Sequence, residues 1–89
     1  MGDFGYHTQF IERGEYGQFS KIREEFEELK DAWETQENKV LAICELCDLY
    51  GAIEAFAQES LNMSMDDIIQ FSDLTKEVYS TRPKYSASI

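Results

Sequence analysis

From Gln18 to Tyr79 the apolar residues recur at helical spacing, and almost nothing breaks a helix except Gly51 and a polar stretch around Asn62. Alternation of the strand type is missing, so the pattern predicts an all-α chain. The first helix is expected from Ser20 to about Glu34. Its apolar positions Ile22, Phe26, Leu29 and Trp33 form one stripe and assign Trp33 to the core. Thr35–Asn38 reads as a turn, with Asn38 as the N-cap of a second helix over Lys39–Glu59. A third helix begins at Ser64, whose hydroxyl can cap the amide of Asp67, and ends near Tyr79. Asp66 and Asp67 fall in its first turn, where the helix dipole favours acids. No internal repeat is present. The chain is read as one domain over residues 1–89, with an aromatic N-terminal segment (1–19), a helical core (20–79) and a loose tail (80–89).

The second helix is the informative one. Residues 40–57 read VLAICELCDLYGAIEAFA, fourteen of eighteen apolar, so this helix is expected to be buried almost all round. A membrane span is disfavoured, because three carboxylates interrupt the run. Glu45 and Asp48 therefore face protein, and buried carboxylates need a cationic partner. The first helix carries Glu24, Glu25, Glu27 and Glu28. Glu25 and Glu28 share a helix face by their i,i+3 spacing, as do Glu45 and Asp48. In an antiparallel hairpin about Thr35–Asn38, facing residues have a constant index sum. Glu25 with Asp48 and Glu28 with Glu45 both sum to 73, so four carboxylates converge at one level. Such a cluster repels itself unless a divalent ion neutralises it, and all-oxygen ligation favours Mg²⁺ or Mn²⁺.

Composition sharpens this picture. With 18 acidic and 8 basic residues the net charge is −10, which argues against a general nucleic-acid binder and suits a collector of cations. Cys44 and Cys47 are too few for a disulfide scaffold and, mid-helix with no second pair, are read as small buried hydrophobes. His7 is the only histidine, which makes a zinc site weak. No secretory signal is visible, so a reducing cytoplasm is the expected compartment. Gly51 costs about 1 kcal/mol relative to Ala in mid-helix and is read as a close-packing position or as room for a ligand.

The Glu24, Glu25, Glu28, Leu29 run, followed after a spacer by Glu45, Asp48 and Leu49, resembles the MazG-like nucleotide pyrophosphohydrolases. Their signature is ExxE, a spacer, then ExxD. That superfamily is all-α and includes dimeric dUTPases and phosphoribosyl-ATP pyrophosphohydrolases. The resemblance continues in Asp73-Leu74-Thr75-Lys76 and Tyr79, with Thr75 where the family commonly has Asn, and spans about residues 18–82. It implies Mg²⁺-dependent cleavage of nucleoside triphosphates to a monophosphate and pyrophosphate. Glu25, Glu28, Glu45 and Asp48 are the implied metal ligands, and one of them or Glu24 is the implied general base. Lys76, Arg82 and Lys21 are candidates for the phosphate tail, although Lys21 reads more simply as a surface lysine.

Tyr79, Gln18 and Phe10 are candidate substrate contacts. The aromatic N-terminal segment (Tyr6, His7, Phe10, Tyr16, Phe19) supplies stacking surfaces for a base, while most of these rings are expected to cover core. A homodimer or homotetramer with a four-helix-bundle-like core is expected, since three short helices hardly cover so apolar a middle one. The length, close to that of a catalytic core, is similar to stand-alone members carried by bacteriophages, which would place the chain in host cytoplasm. The rival expectations are a non-catalytic acidic interaction module and a metal-binding helical protein without turnover.

Overall fold

A computed structural model describes the backbone of residues 7–81 and the side chains through residue 78. Tyr6, Arg82, the side chain of Tyr79 and the tail from residue 82 lie outside the described residues. The described chain is all-helical: α1 (Phe19–Lys30) continues into a wide π-type turn (Asp31–Thr35), α2 spans Lys39–Ser60 and α3 spans Met65–Thr81. The π turn is closed by the Gln36 N–H donating to the Asp31 carbonyl at 2.9 Å. It starts where Asp31 turns its carboxylate inward.

Both interhelical turns close in the same way. The Asn38 N–H donates to the Ala32 carbonyl and the Met63 N–H to the Ala57 carbonyl, each across six residues. Each closure needs one residue in the left-handed region, filled by Glu37 (φ 50) and Asn62 (φ 56). Asn tolerates that region, whereas Glu bears a cost of about 1–2 kcal/mol there. The expected caps are present. The Asn38 side chain accepts from the Leu41 N–H at 3.0 Å. The Ser64 hydroxyl accepts from the Asp67 N–H, and the Asp67 carboxylate accepts in return from the Ser64 N–H.

α1 and α2 form the antiparallel hairpin, and α3 meets only α2 among the helices. The open end of the hairpin is tied by Phe19 packing edge-on against Phe56 and by the Ser60 hydroxyl donating to the Gly17 carbonyl at 2.7 Å. The interior is small. Among the described residues the buried apolar ones are Ala32, Ala42, Ala52 and Ala57, and the largest fully buried side chain is Asp31.

Three expectations from composition are therefore corrected within a single chain. The α1 stripe does face α2, but Phe26, Leu29 and Trp33 line an open apolar groove of about 470 Å³ with Ala42, Ile43 and Leu46. Trp33 is 60% exposed rather than core. Cys44 and Cys47 are exposed. α2 leaves Val40, Ile43, Leu46 and Tyr50 exposed, because α1 covers one side of it and α3 diverges. No helix among the described residues is long and apolar enough to cross a membrane.

Two glycines make opposite predictions. A Cβ on Gly14 would stand 2.2 Å from the Ser20 carbonyl oxygen and 2.5 Å from the Lys21 nitrogen, so backbone would have to move. Gly14→Ala should cost about 1–3 kcal/mol, the usual penalty for overpacking. At Gly51 a Cβ meets only the Tyr16 hydroxyl, at 3.9 Å, so close packing does not explain this glycine. Gly51→Ala should gain about 1 kcal/mol, or roughly 4–8 °C in Tm. Thermal denaturation of the two variants beside the parent checks both signs.

Candidate metal centre

The register predicted from the index sum is present. Carboxylate oxygens of Glu25, Glu45 and Asp48 lie within 4.8 Å of one another, as do those of Glu24, Glu25 and Glu28. A third group joins Glu28 and Glu45 to a ring nitrogen of His7. α1 and the π-type turn that continues it contribute their acids from one face, with Glu24, Glu28 and Asp31 spaced i, i+4, i+7 and Glu25 beside them. α2 contributes Glu45 and Asp48 one turn apart. Glu24, Glu28, Glu45 and Asp48 open into a cleft of about 700 Å³ with His7, Phe10 and Arg13 on its walls, whereas Glu25 and Asp31 lie behind its lining.

Asp48 is exposed, against the expectation that it faces protein, and the buried acids fall into two kinds. Glu24 and Asp31 are buried and fully engaged. The Glu24 Oε1 accepts from the Gly14 N–H at 2.8 Å and from Lys21 Nζ at 3.1 Å, and Arg13 lies 3.5 Å from its Oε2. Burial alone would raise the Glu24 pKa, but these donors outweigh it and hold the carboxyl below its ordinary value. Asp31 accepts from the Thr8 hydroxyl, the Thr8 N–H at 3.2 Å and the Gln36 amide at 2.8 Å, and faces His7 Nδ1 at 3.0 Å. Burial again opposes ionisation, and the donors again prevail, bringing Asp31 down to about 2.

Glu25 and Glu45 are the other kind. Each is 5% exposed, and each has a buried Oε1 that no donor reaches. The second oxygen of Glu25 meets Lys21 Nζ at 3.1 Å, and that of Glu45 meets His7 Nε2 at 3.2 Å. Glu28, half-buried between them, has its pKa pushed up to about 8, first by burial and then by the like charges of Glu25 and Glu45 and the hydrogen bonds it shares with them. A buried carboxylate oxygen without a donor is costly. Glu25, Glu45 and Asp48 each bring a carboxylate oxygen within 4.8 Å of the others, so this donor set fits a hard ion with oxygen ligands.

The other predicted residues divide. Lys21 is not a surface lysine. Its ammonium lies 3.1 Å from both Glu24 and Glu25, and although burial lowers its pKa, the two acids raise it further, for a net increase. Phe10 lines the cleft, exposed. Gln18 stands at the N-cap of α1 without a side-chain capping bond and does not line the cleft. Lys76 is exposed on α3, which does not reach the cleft of its own chain. Tyr79 is placed on α3 by its backbone alone. His7 and Asp31 are the additions. The i, i+4, i+7 spacing of Glu24, Glu28 and Asp31 was a signal for Asp31, whereas nothing in the sequence ties His7 to it across 24 positions.

The elevated Glu28 pKa sets a pH dependence. A carboxyl that titrates near 8 when folded and near its ordinary 4.5 when unfolded binds more protons in the folded state. Its contribution to stability is full below pH 4.5, declines as pH rises, and is lost above about 8. In chelator, chemical denaturation should therefore show falling stability between pH 5 and 8.5, and Glu28→Gln should flatten that slope and raise stability at pH 8. Asp31 has the opposite sign: its contribution is present above its ordinary 3.8 and lost as pH falls toward 2. Comparison with protein-family models, curated proteins and solved structures finds no significant match for this chain, so the site's own geometry carries the functional argument.

Proposed function

We propose that this chain is a divalent-cation-dependent nucleoside triphosphate pyrophosphohydrolase of the MazG-like type, cleaving an NTP or dNTP to the monophosphate and pyrophosphate in cytoplasmic control of nucleotide pools. The observation that carries the reading is the pair of orphaned oxygens, Glu25 Oε1 and Glu45 Oε1, buried in a cluster with Glu28 and Asp48. Stability alone does not account for them, since Gln or an apolar residue at either place would cost less than an unpaired carboxylate. They are the groups a cation-dependent reaction on a polyphosphate needs. Bound there, Mg²⁺ or Mn²⁺ supplies charge neutralisation for the phosphates and acidifies the attacking water.

The residues of the chain divide the remaining work. Glu25, Glu28, Glu45 and Asp48 hold the cation. Glu24 is engaged by Gly14, Lys21 and Arg13, so it positions Lys21 rather than acting as the general base. Glu28, held above the ordinary carboxylate range by burial and by Glu25 and Glu45, would give up its proton when a cation binds among these acids. Phe10 offers a ring on the cleft wall for a nucleobase, and Arg13 offers a guanidinium, 84% exposed, for the phosphate tail. Lys76, exposed on α3 away from this cleft, serves the phosphate tail in this reading only from a second copy of the chain. A homodimer or homotetramer is supported by the exposed Phe26, Trp33, Ile43 and Leu46 around one apolar groove and by Phe71 and Leu74 exposed on α3.

Incubation with each NTP and dNTP in Mg²⁺, with chromatographic separation of products, tests the reading. Monophosphate and pyrophosphate should form from one or a few substrates. Glu45→Gln should lower the rate by a factor on the order of 100 or more, since even partners behind metal ligands cost 10–100-fold when removed. If no nucleotide turns over while the chain still binds Mg²⁺, it is a metal-binding helical protein without this reaction.

A further inference from the structure

The side chain of His7 is 8% exposed, and its ring is held at both nitrogens. Nδ1 lies 3.0 Å from Asp31 Oδ2. That carboxylate is fully buried and engaged by Thr8 and Gln36, so it is an acceptor, and the ring proton belongs on Nδ1. Nε2 is thereby aimed into the cleft, 3.2 Å from Glu45 Oε2 and 3.9 Å from Glu28 Oε1. A nitrogen lone pair facing two carboxylate oxygens requires a cation between them, either a proton or a metal ion. The orphaned Oε1 of buried Glu45 stands on the same residue and points independently to a ligand.

We propose that His7 Nε2, Glu28 and Glu45 form a mixed nitrogen–oxygen metal subsite that takes a first-row transition ion such as Mn²⁺, Co²⁺ or Zn²⁺ in preference to Mg²⁺. Three chemical facts support it. An imidazole whose far nitrogen donates to a carboxylate is the usual arrangement of a metal-bound histidine, and the carboxylate raises the basicity of the ligating nitrogen. Imidazole suits Mn²⁺, Co²⁺ and Zn²⁺, whereas Mg²⁺ prefers oxygen and keeps its waters. Ligands about 2.1 Å from a metal stand roughly 3.0–3.4 Å apart along a polyhedron edge, close to the spacing of Nε2 from Glu45 and reachable by a small Glu28 movement. Glu45 also belongs to the all-oxygen group with Glu25 and Asp48, so it is the shared wall of two subsites of different hardness. The inference rests on the metal-binding part of the proposed function and not on its reaction.

Because the chain has one histidine, its imidazole signals need no variant for assignment. The full-length ¹⁵N-labelled protein is titrated with Zn²⁺ and, separately, with Mg²⁺, while long-range ¹H–¹⁵N spectra of the ring are recorded. Zn²⁺ should shift Nε2 strongly with Nδ1 remaining protonated, and Mg²⁺, bound by the neighbouring carboxylates alone, should shift it far less. In calorimetry, His7→Ala should lower Zn²⁺ and Co²⁺ affinity at least tenfold and change Mg²⁺ affinity by less than about threefold. Asp31→Asn should weaken Zn²⁺ and Co²⁺ by about 10–100-fold. Zn²⁺ binding that leaves Nε2 unmoved, or that survives His7→Ala, overturns the histidine subsite while the carboxylate centre stands. Absence of binding by any divalent ion overturns both.

Discussion

Four buried carboxylates against four buried alanines is the constraint on which this structure turns. Glu24, Glu25, Asp31 and Glu45 occupy the interior of the α1–α2 hairpin beside Ala32, Ala42, Ala52 and Ala57. An ionised carboxylate in such a place must be compensated by donors, by a proton or by a cation. Glu24 is compensated by the Gly14 amide, Lys21 and Arg13, and Asp31 by Thr8, Gln36 and His7. Half-buried Glu28 is held above the ordinary carboxylate range by burial and by its acidic neighbours. One oxygen each of Glu25 and Glu45 is reached by no donor, and these are the oxygens on which the proposed cation site rests. This difference separates the acids that brace the site from those that bind.

The rest of the fold follows from that interior. Alanines on α2 let α1 approach closely enough for acids of both helices to share one cleft. The wide turn at Asp31–Thr35 starts at the one carboxylate whose donors come from the N-terminal segment and from Gln36, so the turn and the anchoring of His7 are one device. π-type turns occur frequently at functional sites, and this one begins at Asp31, the carboxylate that faces His7 Nδ1. The larger apolar side chains are pushed outward by the same logic. With the inside acidic, Phe26, Trp33, Ile43 and Leu46 are left exposed around one apolar groove.

Local rules and a single register argument were enough to read much of this from the sequence. The helix periods, the caps at Asn38 and Ser64, and the pairing of Glu25 with Asp48 and Glu28 with Glu45 each depend on residues close in sequence or on one turn position. From the sequence His7 reads as a stacking ring rather than a partner of the acids, because those partners lie 24 and 38 residues away and no local pattern encodes such a contact. Trp33, Cys44 and Cys47 were misplaced because composition says that a helix is apolar without saying which of its faces a short chain can cover. Lys21 read as a surface residue because its i+3 and i+4 acids look like ordinary helix pairs. Only burial shows that they are the walls of the site.

The central claim is that Glu25, Glu28, Glu45 and Asp48 hold a divalent cation. The most direct test is calorimetric titration of chelator-stripped protein with Mn²⁺ and Mg²⁺, with the thermal midpoint followed in parallel, beside a Glu25→Gln/Glu45→Gln variant. The account predicts saturable binding by the parent and a midpoint that rises with metal concentration. The variant should be more stable in chelator and indifferent to either ion. A parent that gives no saturable heat, with a midpoint unmoved by millimolar Mn²⁺ or Mg²⁺, would contradict it.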